Sequence, residues 1–339
     1  MRLARIAAAA AAAALLCRAD AAAPAGVYAL MNSGGTGAWL ARVLQNGTLA
    51  RVGPGGANSS WAPGQGLAVL DPAAGQLLAI LGDEHARNAP SLFFFDLATG
   101  DVASVLPLPF VSGDTIGAGQ LVSLAPSPGE ALVGGFLATG EQVLGAVDRK
   151  SGAFREIGRL NATTEEIAIG CSRGALGVDG DGASALVFGG LDPRPPYKRL
   201  VLRLTLSGAH AGKLTRADNS DSHQISSYSS DARTGDIVGL GSRGQEEETI
   251  VARLPPGNLT AAVIGAVPSL TVSLAGLAAL DSANSALAWV GAVDADHPFF
   301  LIFNSLAPGA PELSRAEVCV SLEKCPLWSI DVYSPPVAV

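Results

Sequence analysis

Aromatic residues are scarce. They make up 5% of the chain, with four tryptophans, four tyrosines and ten phenylalanines. That leaves too little material for a cofactor site built by stacking a ring on tryptophan, so a cofactor-dependent oxidoreductase is not expected. Charge is also sparse, at 15% of residues, and its balance is acidic, with 22 Lys and Arg against 30 Asp and Glu and a formal net charge of −8. No basic stripe is available for phosphates, which excludes nucleic acid as a partner. Beyond the N-terminus no apolar run reaches the length of a membrane span, and the C-terminal "SPPVAV" is not an anchor tail.

The one long apolar run stands at the start. Arg2 and Arg5 precede apolar residues from Ile6 to Cys17, and small residues follow. Charge, a short apolar stretch and a small-residue cleavage region together describe a secretory signal peptide over residues 1–23. Cleavage is expected after Ala23, with Ala21 as the alternative. A transit peptide leading to a plastid lumen is the competing reading. Removing residues 1–23 takes away three arginines and one aspartate, which makes the mature chain more acidic still. Sequons at Asn46, Asn58, Asn161 and Asn258 fit passage through a glycosylating pathway, so the protein is expected to be secreted and monomeric, as a glycoprotein.

Three cysteines remain after the leader. Cys319 and Cys325 in "CVSLEKC" can close a small surface loop as a disulfide in an oxidising compartment, leaving Cys171 unpaired and, after the apolar "IAIG", buried.

What the chain has in quantity is glycine, 41 residues of it, and the glycines keep a period. "DLATGDVASVLPLP" (96–109) returns in similar form as "DRKSGAFREIGRL" (148–160) and "SLAPGAPELSRAEV" (305–318). Aligned on the turn glycine, the repeat falls at Gly47, Gly100, Gly152, Gly208, Gly257 and Gly309. A second series, Asp71, Pro126, Asp179, Asp231, Asp281 and Asp331, marks an earlier turn. A third places a glycine at the end of an apolar strand, at Gly35, Gly82, Gly135, Gly190, Gly241 and Gly291. Each unit reads strand, Asp-led turn, strand ending in Gly, loop, strand, Gly turn, strand.

Four antiparallel strands at a period of about 50 residues form a propeller blade, and packing blades around an axis buries both faces of every sheet. We therefore expect an all-β, six-bladed propeller over residues 24–339. The first blade lacks its innermost strand, and the C-terminal segment at about 327–334, "LWSIDVYS", is expected to complete it and close the ring. The "VGG" and "FGG" after the second strands of blades 3 and 4 resemble kelch and other repeats of the six-bladed β-propeller superfamily. The Tyr and Trp that kelch blades carry downstream are mostly missing, so the resemblance implies the fold and carries over no functional residue.

In such a ring the loops leading into each innermost strand share one face with those joining second to third strands, and function is expected there. The densest polar cluster on it is 218–223, where Asp218, Asp221 and His223, with Asp114 from another loop, can offer ligands to calcium or another divalent cation. His85 and His297 also stand beside carboxylates in loops of this face. Ordinary solvated turns and exposed loop histidines are the simpler reading of all of these. "GCSRG" (170–174) matches the nucleophile elbow of hydrolases, but a strand follows it instead of a helix, so Ser172 is not a nucleophile candidate. No catalytic constellation or resident cofactor is expected. We read the chain as a secreted binding or scaffold module that uses its loop face on a protein or glycan. The alternative is a metal-dependent hydrolase or lactonase with a cation at the channel mouth.

Overall fold

Asp96 and Gly100 build a turn that satisfies itself. The Asp96 carboxylate accepts the N–H groups of Ala98 and Thr99 at 2.9 and 2.8 Å, and the Gly100 N–H donates to the Asp96 carbonyl at 2.8 Å. The conformation needs a left-handed residue, which glycine adopts without a steric penalty. Gly47, Gly100, Gly152, Gly208, Gly257 and Gly309 all have φ between 71° and 87°. The sequence period is therefore a period of hairpin corners.

The structure, a computed structural model, describes residues 23, 25–32, 37–57, 67–83, 89–111, 120–160, 168–169, 172–179, 181–191, 199–218, 223–231, 234–243, 248–255, 257–267, 272–294, 296–320, 325 and 327–333. Blade 1 holds β1 (Gly26–Asn32), β2 (Ala38–Val43) and β3 (Leu49–Arg51), and blade 2 holds β4 (Ala68–Asp71), β5 (Gln76–Asp83), β6 (Ala89–Asp96) and β7 (Val102–Pro107). Blade 3 is β8 (Leu121–Leu124), β9 (Glu130–Phe136), β10 (Gln142–Asp148) and β11 (Phe154–Leu160). Blade 4 begins with three short pieces, β12 (Ala168–Ile169), β13 (Ser172–Arg173) and β14 (Ala175–Val178), then β15 (Ser184–Leu191), β16 (Arg199–Thr205) and β17 (Leu214–Asp218). Blade 5 is β18 (His223–Ser230), β19 (Ile237–Arg243), β20 (Glu248–Leu254) and β21 (Ala262–Ala266). Blade 6 is β22 (Val272–Asp281), β23 (Ala286–Ala292), β24 (Phe299–Ser305) and β25 (Glu312–Cys319), and β26 (Leu327–Tyr333) returns to blade 1. No helix occurs among the described residues.

Successive side chains of a strand point to opposite faces, and in this ring each face meets a different neighbour. Leu77, Ala79 and Leu81 of β5 pack with Leu30 and Leu40 of blade 1, while Leu78 and Ile80 pack with Val133 and Val143 of blade 3. Strands buried on both sides read as unbroken apolar runs, which is why β5 is "QLLAILGD". The same arrangement joins blade 3 to 4 through Leu132 and Phe188, 4 to 5 through Val201 and Ile250, 5 to 6 through Val251 and Trp289, and 6 to 1 through Leu301 and Ile330. Six wedges of core therefore replace one central core. Each fully buried Leu, Ile or Phe in them contributes on the order of 1.5–3 kcal/mol.

The ring closes as expected. β26 pairs antiparallel with β1, Val27 opposite Val332 and Tyr28 opposite Asp331, to give the sheet order β26-β1-β2-β3. One detail of the Asp series differs. Asp71 and Asp281 end their strands, but Asp331 lies two residues inside β26, and Tyr333 takes the terminal place. Asp331 therefore lies within the sheet instead of capping a corner.

The strand-ending glycines serve a purpose other than a bend. A Cβ on Gly135 would enter the ring of Phe110, and one on Gly291 the ring of Trp289. They make room for aromatic rings packed flat on the sheet. The cysteines of the β25–β26 connection, Cys319 and Cys325, are joined as a disulfide with their Cα atoms 5.1 Å apart. Cys171 and residues 1–22 of the expected 1–23 leader lie outside the described residues.

Candidate functional site

The innermost strands line the axis, and their axis-facing edges present backbone groups that need partners. Side chains supply several of these. Asp331 accepts the Leu70 N–H of blade 2 at 2.6 Å, Ser229 accepts the Leu280 N–H of blade 6 at 3.2 Å, and Ser123 donates to the Gly174 carbonyl at 3.0 Å. Each bond ties one blade to the next.

Arg173 spans the ring. Its strand, β13, leaves blade 4 and pairs in parallel with Leu121 and Val122 of blade 3. The diversion is held by Gln142, whose amide accepts the Ile169 N–H at 3.0 Å and donates to the Ile169 carbonyl at 3.3 Å. From there the guanidinium reaches the opposite side, donating to the carbonyls of Ala278 in blade 6 and Ile330 in blade 1 at 3.2 and 3.4 Å. It also pairs with the Asp331 carboxylate at 2.8 Å, the two side chains being 9% and 6% exposed. Nothing in the local sequence around "GCSRG" announces this role, since the partners come from strands more than a hundred residues away. Ser172, on β13, is followed by strand and not by a helix.

The loop face carries most of the sequence candidates. Asp114 and Asp221 lie outside the described residues, as do His85, Asn58 and Asn161. Asp218 closes β17, the outermost strand of blade 4, opposite Leu200, and His223 opens β18, the innermost strand of blade 5, opposite Arg243. The backbone thus places these two at the two ends of one incoming loop, one peripheral and one central. Among the described residues no three His, Cys, Asp or Glu side chains gather as a metal site. His297 is held within its own loop, its Nδ1 lying 2.6 Å from the Asp294 carboxylate. The hydrogen bond and charge of Asp294 raise the His297 pKa, and the same bond lowers that of Asp294.

The opposite face consists of hairpin corners. Asp71 accepts the N–H groups of Ala73 and Ala74, and Asp281 that of Asn284. Asp148 accepts from Ser151 and Lys150, bonds that hold its carboxyl below the usual range. The two described sequons lie here, both exposed: Asn46 accepts the Thr48 N–H at 3.0 Å and Asn258 the Thr260 N–H at 2.8 Å. A partly buried pair, Arg149 on Asp71 at 2.5 Å, ties blade 3 to blade 2.

Two clefts open between blades. One, of about 800 Å³, lies between blades 6 and 1, lined by Val27, Val43, Leu301 and Phe303 together with Arg42 and Arg315. β3, the outer strand of blade 1, has 3 residues against the 8 of β25 in blade 6. The other, of about 370 Å³, lies between blades 4 and 5 and is polar. Sequence reasoning missed both, because an inter-blade cleft joins strands from two repeats.

No protein-family model and no curated protein matches the chain. Solved structures do. TolB from Acinetobacter baumannii superposes with a TM-score of 0.57 at 13% identity, covering 92% of this chain and 67% of that one. A TolB structure from Agrobacterium tumefaciens gives 0.50 at 11% identity, covering 91% and 99%. At these identities the likeness is one of fold, and the chain shares with them the β-propeller.

Proposed function

We propose that this protein is a secreted binding module whose loop face engages a protein or glycan partner. The asymmetry of the two faces carries the proposal. On the turn face the connections of blades 2 and 3, from Asp96 to Val102 and from Asp148 to Phe154, are short and saturated by their own side chains. On the loop face they differ from blade to blade and run as far as Arg51 to Ala68 and Pro107 to Leu121. Recognition concentrates in variable loops held by a rigid scaffold, and a self-satisfied turn has few groups left to offer. The exposed sequon at Asn46 supports the same division, since a glycan there would occupy part of the turn face of blade 1.

The test begins with the full-length chain expressed in a secreting cell, cross-linked to its surroundings and purified from the medium. Residues 58–66, 112–119 and 161–167 are then replaced in turn by Gly/Ser segments, and Lys150→Ala on the turn face serves as control. Partner retention lost with the loop replacements and kept in the control supports the proposal. Retention indifferent to the loops, or a chain that never leaves the cell, overturns it.

A further inference from the structure

The seam between blades 4 and 5 changes character along its length. Much of it is filled by Val187, Val201, Ile225, Ile237 and Ile250. Toward the turn face, the residues of β16 that follow Val201 on the same face are Arg203 and Thr205, and Thr215 of β17 stands opposite Arg203. Placing a guanidinium beside the apolar side chains of a seam costs solvation unless it is paired. Arg203 is paired, with Asp179 of the preceding turn, but burial still lowers its pKa. A guanidinium has five N–H donors, so one carboxylate leaves several free.

The hollow beside this pair is the cleft of about 370 Å³, walled by Arg203, Thr205, His210, Lys213 and Thr215 of blade 4 and by the Gly257–Leu259 turn of blade 5. Among the described residues the Lys213 ammonium, the His210 ring and the two threonine hydroxyls have no hydrogen-bond or ion partner. Asp179 is its one acidic wall residue and is already neutralised by Arg203. The cleft is therefore a concentration of unspent donors and positive charge on a chain whose net charge is −8. Its volume is within the range of small-ligand sites, roughly 300–1,000 Å³.

We propose that this cleft binds the oxyanion of a small phosphate or sulfate monoester. Lys213 and Arg203 supply the charge, Thr205, Thr215 and His210 supply further hydrogen bonds, and the remaining space takes the body of the ester. Charge-assisted bonds of this kind are the stronger ones, and convergence of several in a concave site gives selectivity for the anion. The site lies on the turn face and stands whether or not a partner docks on the loops.

Isothermal titration of the full chain with glucose 6-phosphate, glucose 6-sulfate, inorganic phosphate and inorganic sulfate tests this. One ester should bind more tightly than its inorganic ion, and the stronger of the two esters identifies the class. Lys213→Ala and His210→Ala, both on an exposed turn and checked for an unchanged melting temperature, should each weaken binding about tenfold, the loss of one charge-assisted bond. Arg315→Ala, in the cleft between blades 6 and 1, should leave it unchanged. No heat from any of the four anions at millimolar concentration, or affinities equal in wild type and both cleft variants, overturns the proposal.

Discussion

Arg173 and Asp331 are 158 positions apart in sequence and joined across the axis. Removing one member of a buried pair leaves the other charged and unsolvated, a loss of about 3–5 kcal/mol. Arg173→Ala should therefore destabilise the protein by that amount in guanidinium unfolding, and Asp331→Asn by less, since an amide oxygen still accepts the Leu70 N–H. A loss for Arg173→Ala below about 1 kcal/mol, the range of exposed pairs, would mean that water replaces the guanidinium freely. His297 gives a second residue-scale expectation. Asp294 raises its pKa in the folded state, so the pair contributes to stability at low pH, and that contribution fades as pH rises through the raised value. In an NMR titration of the four histidines, His297 should titrate above the ordinary value, and Asp294→Asn should bring it down. At this scale the sequence was only partly legible. The Asp-led turns could be read because donor and acceptor lie within three residues, as in Asp71 and Ala74. Arg173 could not, because its partners are set by the closure of the ring.

At the scale of elements, strand positions follow from turn chemistry. "QLLAILG" between an Asp-led turn and a glycine became β5, and "DVASVLPLP" became β7 with its ends trimmed. The broken first strand of blade 4 was not legible, because "IAIGCSRGALGV" is apolar enough for one continuous strand and the diversion onto blade 3 depends on Gln142 and Ser123 of another repeat. Two glycines separate conformational cost from crowding. Gly75 and Gly100 both have positive φ, at 62° and 71°, but a Cβ on Gly75 meets nothing within 4 Å, whereas one on Gly100 would strike the Val52 carbonyl of blade 1. Gly75→Ala should cost only the left-handed penalty, roughly 1–2 kcal/mol. Gly100→Ala must also push two blades apart, so its midpoint in urea should fall clearly further. Equal midpoints would show that the turns of blades 1 and 2 yield to each other without strain.

At the scale of the whole molecule, the period of about 50 residues, the six blades and the returning C-terminal strand were all legible, because each depends on a pattern repeated along the chain. The clefts and the cross-ring strut were not, because they arise where repeats differ. Closure by β26 joins the two ends of the chain, and its loss would be felt at several distant places at once. Tyr333 leaves the core between blades 1 and 2, Leu327 and Ile330 leave that between blades 6 and 1, Leu70 loses its acceptor, and Arg173 loses its carboxylate. β1 would become a bare edge, ready to pair with another copy. A chain ending at Val320 should therefore lose its single cooperative melting transition and elute from size exclusion as aggregates. A synthetic peptide of residues 325–339, added during refolding, should restore a monomer by taking the empty place beside β1. If the truncated chain instead stays monomeric and melts as one transition near the intact protein, the blades hold one another without the closing strand. The strut at the axis would then be dispensable to the ring as well.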